Sequence, residues 1–197
     1  MDFAWARAVL ALVGFVGVTL SGCGHVPVMS MIQLARIDFA TTDPARLRAA
    51  VKLPRTIEPL PQGVALRVTV KLGSGHEEFE DFLLQEVSDP NDVLALEHEL
   101  EPDTHVIAYR LDAREVARIN AFRDKLKSQQ AASGGRGGSL ALAIRPQACR
   151  TRDVSSGPIY MTTYLRTAET GRYVPLARDL DLRTIARDLV DAIPQCR

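Results

Sequence analysis

The feature of the sequence that most constrains its fold is the stretch 64–72, in which apolar and polar residues alternate. The apolar residues are Val64, Leu66, Val68, Val70 and Leu72, and the polar ones are Arg67, Thr69 and Lys71. Because successive side chains of a β-strand point to opposite faces, this pattern places all the apolar side chains on one face. It is typical of a strand that packs one face on a core and leaves the other in water.

The rest of the chain is predicted to mix strands and helices. Strands are predicted at residues 30–39, 79–87, 93–96, 104–111, 140–145, 159–166 and 173–176. The sequence Thr42-Asp43-Pro44 offers a capping residue followed by proline, which predicts a helix with apolar residues at 47, 50 and 51. That helix should end before Pro54, where a loop with three prolines runs to residue 61.

Two further helices are predicted. Asp112 caps the first, which runs to about residue 130 and has an apolar stripe of Val116, Ile119, Phe122 and Leu126. The second is capped by Asp179 or Asp181, has apolar residues at 182, 185, 189 and 193, and ends at Pro194.

Two segments are similar to two others at a spacing of about 75–80 residues. Residues 32–38 resemble 106–112, and residues 93–100 resemble 173–180. We interpret this as two β-α-β-β-β units, at 29–100 and 104–180, followed by a C-terminal helix. Chance recurrence of short apolar motifs is the alternative. The expected fold class is α+β with a mostly antiparallel sheet.

The N-terminal segment predicts export from the cytoplasm. Arg7 precedes an apolar run at residues 8–20 that is broken only by Gly14, Gly17 and Thr19. Thirteen helical residues rise about 20 Å, which is less than the roughly 30 Å of a bilayer's hydrocarbon core. A signal peptide fits this length better than a spanning helix does.

The end of that run, Leu20-Ser21-Gly22-Cys23, resembles the cleavage motif of bacterial lipoprotein signal peptides at all four positions. The resemblance implies that residues 1–22 are removed after the Cys23 thiol has received a diacylglyceryl group. The new amine is often acylated as well, for example with palmitate. The alternative is an ordinary secretory signal with an incidental cysteine.

The resemblance also implies a location. The residue after Cys23 is Gly24, whereas aspartate at that position favours retention in the inner membrane of enterobacteria. We therefore expect a lipid anchor in the outer membrane, facing the periplasm, with the inner membrane as the alternative. Residues 23–28 would form a tether of about 20 Å at most. It would hold a single periplasmic α+β domain, residues 29–197, close to the membrane.

If Cys23 carries lipid, Cys149 and Cys196 are the two remaining cysteines. In an oxidising compartment such a pair is expected to form a disulfide. Two unpaired thiols are the alternative, because the sequence does not show the distance between their Cα atoms.

Composition and charge exclude some classes of function. The chain has 24 Lys and Arg against 24 Asp and Glu, and 46% of its residues are hydrophobic. This composition indicates a folded domain without a general attraction to polyanions, so no nucleic-acid partner is expected.

The acidic segment 77–103 raises the question of a metal site, because it lies among His76, His98 and His105. It contains eleven carboxylates and no Lys or Arg, but no metal-binding spacing. On a strand, Glu97 and Glu99 would face one way and His98 the other. A solvated acidic hairpin is the preferred interpretation, and no metal is predicted.

No motif predicts catalysis or a cofactor. The glycine-rich segment 133–139 follows a helix and precedes a strand, whereas a phosphate-binding loop follows a strand and begins a helix. The sequence also lacks a Gly-x-Ser-x-Gly nucleophile motif. We therefore expect no catalytic residue and no cofactor.

A basic row is the remaining candidate site. Residues 110–152 contain ten Lys and Arg against three acids. Arg114, Arg118 and Lys125 are predicted opposite the apolar stripe of their helix, as a contact face for anionic lipid head groups, lipopolysaccharide phosphates or an acidic partner. The row could equally pair with the chain's own acids at 77–103, or simply be solvated.

These observations favour a non-enzymatic envelope lipoprotein, an accessory or scaffold subunit of an assembly or transport complex. Its expected partners are the membrane, through Cys23, and a membrane-embedded protein. The first alternative is a module that binds a lipid or another small apolar ligand, and the second is a hydrolase.

Overall fold

The computed structural model describes residues 28–73, 75–133, 138–154, 156–185 and 193–196. They form two sheets in which all neighbouring strands are antiparallel. The larger sheet has the order β4 (Gln85–Val87), β5 (Thr104–Arg110), β1 (Arg48–Pro54), β7 (Tyr160–Arg166), β8 (Val174–Asp181). The smaller sheet has the order β3 (Glu77–Leu83), β2 (Ile57–Leu72), β6 (Gly138–Arg150). The helices are α1 (Val28–Leu34), α2 (Pro90–Leu94), α3 (Ala113–Ser133) and α4 (Leu182–Ile185). The predicted α+β class with antiparallel sheets is confirmed.

Strand β2 follows its sequence pattern. Val64, Leu66 and Val68 are at most 1% exposed, whereas Arg67 and Thr69 on the other face are partly exposed. The buried face packs into a core between the two sheets and α3. Burial of this apolar face, at roughly 25 cal/mol per Å², is what holds the smaller sheet against the larger one.

The central strand β1 is buried on both faces. Ala49, Val51 and Leu53 face the main core, whereas Ala50 belongs to a second cluster on the outer face of the larger sheet. The predicted helix over residues 43–53 was therefore wrong. Asp43 does cap a turn that starts at Pro44, but this is a single 3-10 turn, Pro44–Arg46. A strand buried on both faces lacks the alternation that would have identified it.

Two predicted strands are helices. Residues 28–34 form α1 instead of the first part of a strand at 30–39, since methionine and leucine are good helix formers. The predicted short strand at 93–96 is the end of α2 and its C-cap. The Asp89 side chain accepts a hydrogen bond from the Asn91 N–H, and Pro90 occupies the first turn, where its missing N–H costs nothing.

The predicted loop at 54–61 was also partly wrong, because β2 already begins at Ile57. Its pairing with β6 shifts register between Pro59 and Val64, and Gln62 within this irregularity has a φ of 58°. Prolines are tolerated there because a bulge releases the N–H groups that regular pairing would need.

Helix α3 is confirmed almost to its predicted ends. The Asp112 side chain accepts a hydrogen bond of 2.8 Å from the Glu115 N–H at its start. Ile119, Phe122 and Leu126 are buried, and the Phe122 ring lies 6.0 Å from that of Phe82, measured between centroids.

The two predicted units differ in the structure. The second has the predicted order, β5-α3-β6-β7-β8, whereas the first contains four strands and no helix between the first two. The last helix, α4, begins where the Asp181 side chain accepts a hydrogen bond from the Arg183 N–H, so Asp181 and not Asp179 is its cap. Its predicted continuation, including Leu189, lies outside the described residues.

The C-terminal segment returns to β6. Cys149 and Cys196 are joined by a disulfide, with their Cα atoms 5.0 Å apart. The backbone pairs the same two segments. The Arg150 N–H donates a hydrogen bond to the Pro194 carbonyl, and the Cys196 N–H donates one to the Arg150 carbonyl.

Removal of this disulfide should destabilise the domain. Closing a loop of 47 residues contributes about 4 kcal/mol in the chain-entropy model, so the double variant Cys149→Ala/Cys196→Ala should lose about that much. Urea unfolding of the full chain measures the loss, and the same variant should show no further effect of reductant. Alkylation of both cysteines in the wild type without prior reduction would contradict the disulfide.

Candidate functional site

The predicted lipid-attachment residue lies outside the described part of the chain. Cys23, the predicted signal segment 1–22 and the predicted tether as far as residue 27 are not described, and neither are residues 134–137 of the glycine-rich segment. Lipid attachment therefore stays a prediction. Within the described ranges, no helix has both the length and the hydropathy needed to span a membrane.

Two of the three residues of the predicted anionic contact face pair with the chain's own acids. Arg118 Nη2 lies 2.6 Å from Glu80 Oε1, and its Nη1 lies 2.6 Å from Glu115 Oε2. Lys125 Nζ lies 2.6 Å from Glu78 Oε2. The contacts with Glu78 and Glu80 are those of the alternative, in which the row pairs with the acidic segment 77–103, whereas Glu115 belongs to α3 itself.

The expected position of this row, opposite the apolar stripe, was wrong for Arg118 and Lys125. Residues 118, 122, 125 and 129 are spaced by four, three and four, which places them along one side of a helix. That side faces β3. Glu78, Glu80 and Phe82 of β3 are two residues apart, so their side chains lie on the same face of the strand. The third residue, Arg114, is exposed and forms no ion pair with a described residue.

The acidic segment is not a solvated hairpin. It contains β3, β4, α2 and a 3-10 turn, Glu97–Glu99, so Glu97 and Glu99 do not alternate with His98 on a strand. Several of its carboxylates pair with cations from elsewhere; Asp81, for example, accepts two hydrogen bonds from Arg67. Among the described residues, no three His, Cys, Asp or Glu side chains converge on a metal position.

One carboxylate of this segment, Asp92, is buried on the outer face of the larger sheet. Its side chain is 5% exposed and forms ion pairs with Arg48 of β1 and Arg166 of β7, which are directly opposite each other in the sheet. The Tyr173 hydroxyl lies 3.5 Å from Asp92 Oδ1. Burial and this carboxylate raise the pKa of Tyr173 to about 12. Asp92 thus fixes α2 to the sheet.

Glu99 makes a second such contact. It accepts a hydrogen bond of 2.8 Å from the Tyr164 hydroxyl and two from the Arg178 guanidinium. Burial would raise the pKa of Glu99, but the hydrogen bonds from Tyr164 and Arg178 hold it below its usual value. Burial, and then the Glu99 carboxylate, raise the pKa of Tyr164, so this hydroxyl remains a donor.

Three residues of these contacts, Arg166, Tyr173 and Arg178, line a groove of about 470 Å³, which we call the outer groove. It lies between α1, the 3-10 turn at 97–99 and the strands β7 and β8. Its basic lining residues are His98, Arg166, Arg172 and Arg178, and none of its described lining residues is acidic. Guanidinium groups in such a position suit carboxylates and phosphates, because they donate paired hydrogen bonds in one plane.

The outer groove adjoins exposed apolar side chains. Ser30 and Gln33 of α1 line it, while Met31 and Ile32 of the same helix are 54% and 55% exposed. Large apolar side chains next to a polar rim are typical of surfaces that contact another protein or a membrane.

Sequence reasoning missed the outer groove, because its residues come from four separate parts of the chain. Only one local signal pointed to it. Asp89-Pro90 is the same cap-and-proline signature as Asp43-Pro44, and reading it as a helix start would have placed Asp92 in a first helical turn.

Comparisons of the chain with protein-family models, with curated proteins and with solved structures give no match. Any function is therefore inferred from the residues and their geometry.

The ion pair of Glu78 should make stability depend on pH in the acidic range. Hydrogen bonds from Lys125 and Gln129 lower the pKa of Glu78 from 4.5 to about 2. A lowered pKa stabilises the folded state above pH 4.5, and this contribution is lost as the pH falls towards 2. We expect Glu78→Gln to lower the free energy of unfolding at pH 7 by up to about 1 kcal/mol.

Urea unfolding of both proteins between pH 7 and pH 2.5 measures this difference. The difference in the free energy of unfolding should shrink steadily below pH 4.5. Glu77→Gln, which replaces the exposed neighbour of Glu78, should change this free energy little at any pH. A difference for Glu78→Gln that does not vary with pH would contradict the ion pair as its cause.

Proposed function

We propose that this protein is a non-enzymatic, lipid-anchored accessory subunit of an envelope complex, held by Cys23 in the outer membrane and facing the periplasm. The motif Leu20-Ser21-Gly22-Cys23 supports the anchor. Helix α1 begins five residues after Cys23, so a lipid there would keep α1 within about 20 Å of the membrane.

The observation that carries the proposed role is the outer groove beside α1. Four guanidinium groups, of Arg48, Arg166, Arg172 and Arg178, share this region with three carboxylates, Asp92, Glu99 and Asp179. The region therefore keeps a positive charge, and Arg172 forms no ion pair with any described residue. An acidic segment of a membrane-embedded partner would complement this charge.

The apolar side chains of α1 support the same orientation. Met31 and Ile32 stand exposed on the first described helix after the tether, where an anchored domain would meet the bilayer or the apolar surface of a membrane protein. A basic groove with an apolar neighbour on the membrane side suits a partner that is embedded in the same membrane.

One experiment tests the anchor and the groove separately. A bacterium expresses the tagged full-length chain with a photo-reactive residue at position 33, is fed labelled palmitate, and is irradiated before extraction in mild detergent. The wild type should carry the label and cross-link repeatedly to one membrane protein. Cys23→Ser should lose the label and remain unprocessed.

Two charge reversals identify the contact face. Arg172→Glu should keep the label but lose most of the cross-link, because repulsion replaces attraction at the groove. Arg114→Glu, an exposed arginine on α3, should keep both. Loss of the cross-link in Arg114→Glu alone would favour the α3 face instead. Recovery of free monomer from every sample would overturn the proposed role.

A further inference from the structure

A second cleft, of about 320 Å³, opens between α3, the adjoining ends of β2 and β6, and the segment 37–40. It shares no lining residue with the outer groove. Its apolar wall consists of Ile37, Phe39, Val70, Leu72, Leu126 and Leu140. We call it the α3 cleft.

Arg123 of α3 lines this cleft although it is only 9% exposed. Its Nη2 donates a hydrogen bond of 2.6 Å to the Thr42 carbonyl, and its Nη1 donates one of 3.3 Å to Asn120 Oδ1. The guanidinium carbon lies 4.8 Å from the centroid of the Phe39 ring. The Nε–H is buried and has no acceptor among the described residues.

The positive charge of Arg123 also has no direct counter-ion in the described part of the chain, where no carboxylate forms an ion pair with it. Asp38, Asp43 and Glu169 act on it only at longer range, and burial lowers its pKa. A buried charge is costly unless it is both hydrogen-bonded and paired, and an anion with hydrogen-bonding oxygens in the cleft would supply the direct pairing that Arg123 lacks among the described residues.

The rim of the α3 cleft extends this charge. Lys71 and Lys127 line it together with Arg123, against one acid, Asp38. Lys127 Nζ is 3.9 Å from Asp124 Oδ1, a loose contact at an exposed position. The residues that line the cleft thus combine an apolar wall with three cations and one acid.

We infer that the α3 cleft binds a single-chain amphiphile with an anionic head group, a fatty acid or a lysophospholipid. The carboxylate or phosphate accepts hydrogen bonds from the Arg123 guanidinium, and the hydrocarbon chain lies along the apolar wall. A volume of about 320 Å³ is near the lower end of small-molecule sites, which suits one chain and not a diacyl lipid. This inference does not depend on the proposed anchor or its partner.

The test uses the full-length protein as its host produces it, purified in a mild non-ionic detergent. A photo-reactive analogue of lauric acid should cross-link within 123–130 or 138–140, as mapped by peptide mass spectrometry. Arg123→Gln should weaken this labelling about tenfold or more, since it removes a charge-assisted hydrogen bond. Arg114→Gln, on the exposed side of the same helix, should label like the wild type.

Because Arg123 is buried, its replacement could unfold the domain, and a second variant is therefore included. Leu140 is 37% exposed at the wall of the cleft, so Leu140→Glu should fold and should repel an anionic head group. It should lower labelling whether or not Arg123→Gln folds.

Competition identifies the ligand. Laurate and a lauroyl lysophospholipid are added separately, with dodecanol as the uncharged control. Competition by laurate alone assigns the site to fatty acids, and competition by both charged compounds assigns it to the shared anionic head group. Dodecanol competing as well as laurate, labelling elsewhere in the chain, or unchanged labelling in a folded Arg123→Gln or in Leu140→Glu would each overturn the inference.

Discussion

The structure depends on the burial of β1 on both of its faces. One face, with Ala49, Val51 and Leu53, closes the apolar core that the smaller sheet and α3 complete. The other face carries Ala50 and Lys52, and Lys52 reaches Glu101 at 2.8 Å. Strand β1 therefore borders two compartments of the domain: the inner one is the core between the sheets, and the outer one is the layer on the outer face of the larger sheet. The inner one is held by apolar area, whereas the outer one combines a few charged groups with a small apolar cluster of Ala50, Leu96, Ala108 and Tyr164.

The candidate sites follow from this asymmetry. On the outer side, Asp92 and Glu99 hold α2 and the following 3-10 turn against arginines of β1, β7 and β8, and the arginines outnumber them. The outer groove is the result, and α1 places it near the proposed anchor. On the inner side, α3 closes the core incompletely at one end, and Arg123 is buried there beside Phe39 with no carboxylate directly paired to it among the described residues. Each compartment thus leaves a positive charge that an external anion could neutralise.

The sequence predicted the elements that have one buried face. Strand β2 and helix α3 expose their other side to water, so their periodicity is visible in the residues. The incorrect prediction of a helix over β1 shows where this reasoning fails. A strand buried on both faces has no alternation of apolar and polar residues that would identify it. The signature Asp43-Pro44 indicated the start of a helical turn. Only one turn forms, because the residues that follow pair as β1 with β5 and β7. Asp89-Pro90, in contrast, did begin a helix. Arg48, Asp92 and Arg166 are far apart in the chain, and no local pattern brings them together.

The claim that the outer layer is held by charge, independently of the core, is tested most directly by native-state hydrogen exchange in Asp92→Asn. Removal of the charge leaves Arg48 and Arg166 without their buried partner, so α2 and the 3-10 turn should open locally. Amides of residues 93–100 should exchange much faster than in the wild type, while the amides of β1 should remain among the slowest in the domain. Equal acceleration at both places, or unchanged protection of residues 93–100, would contradict the account.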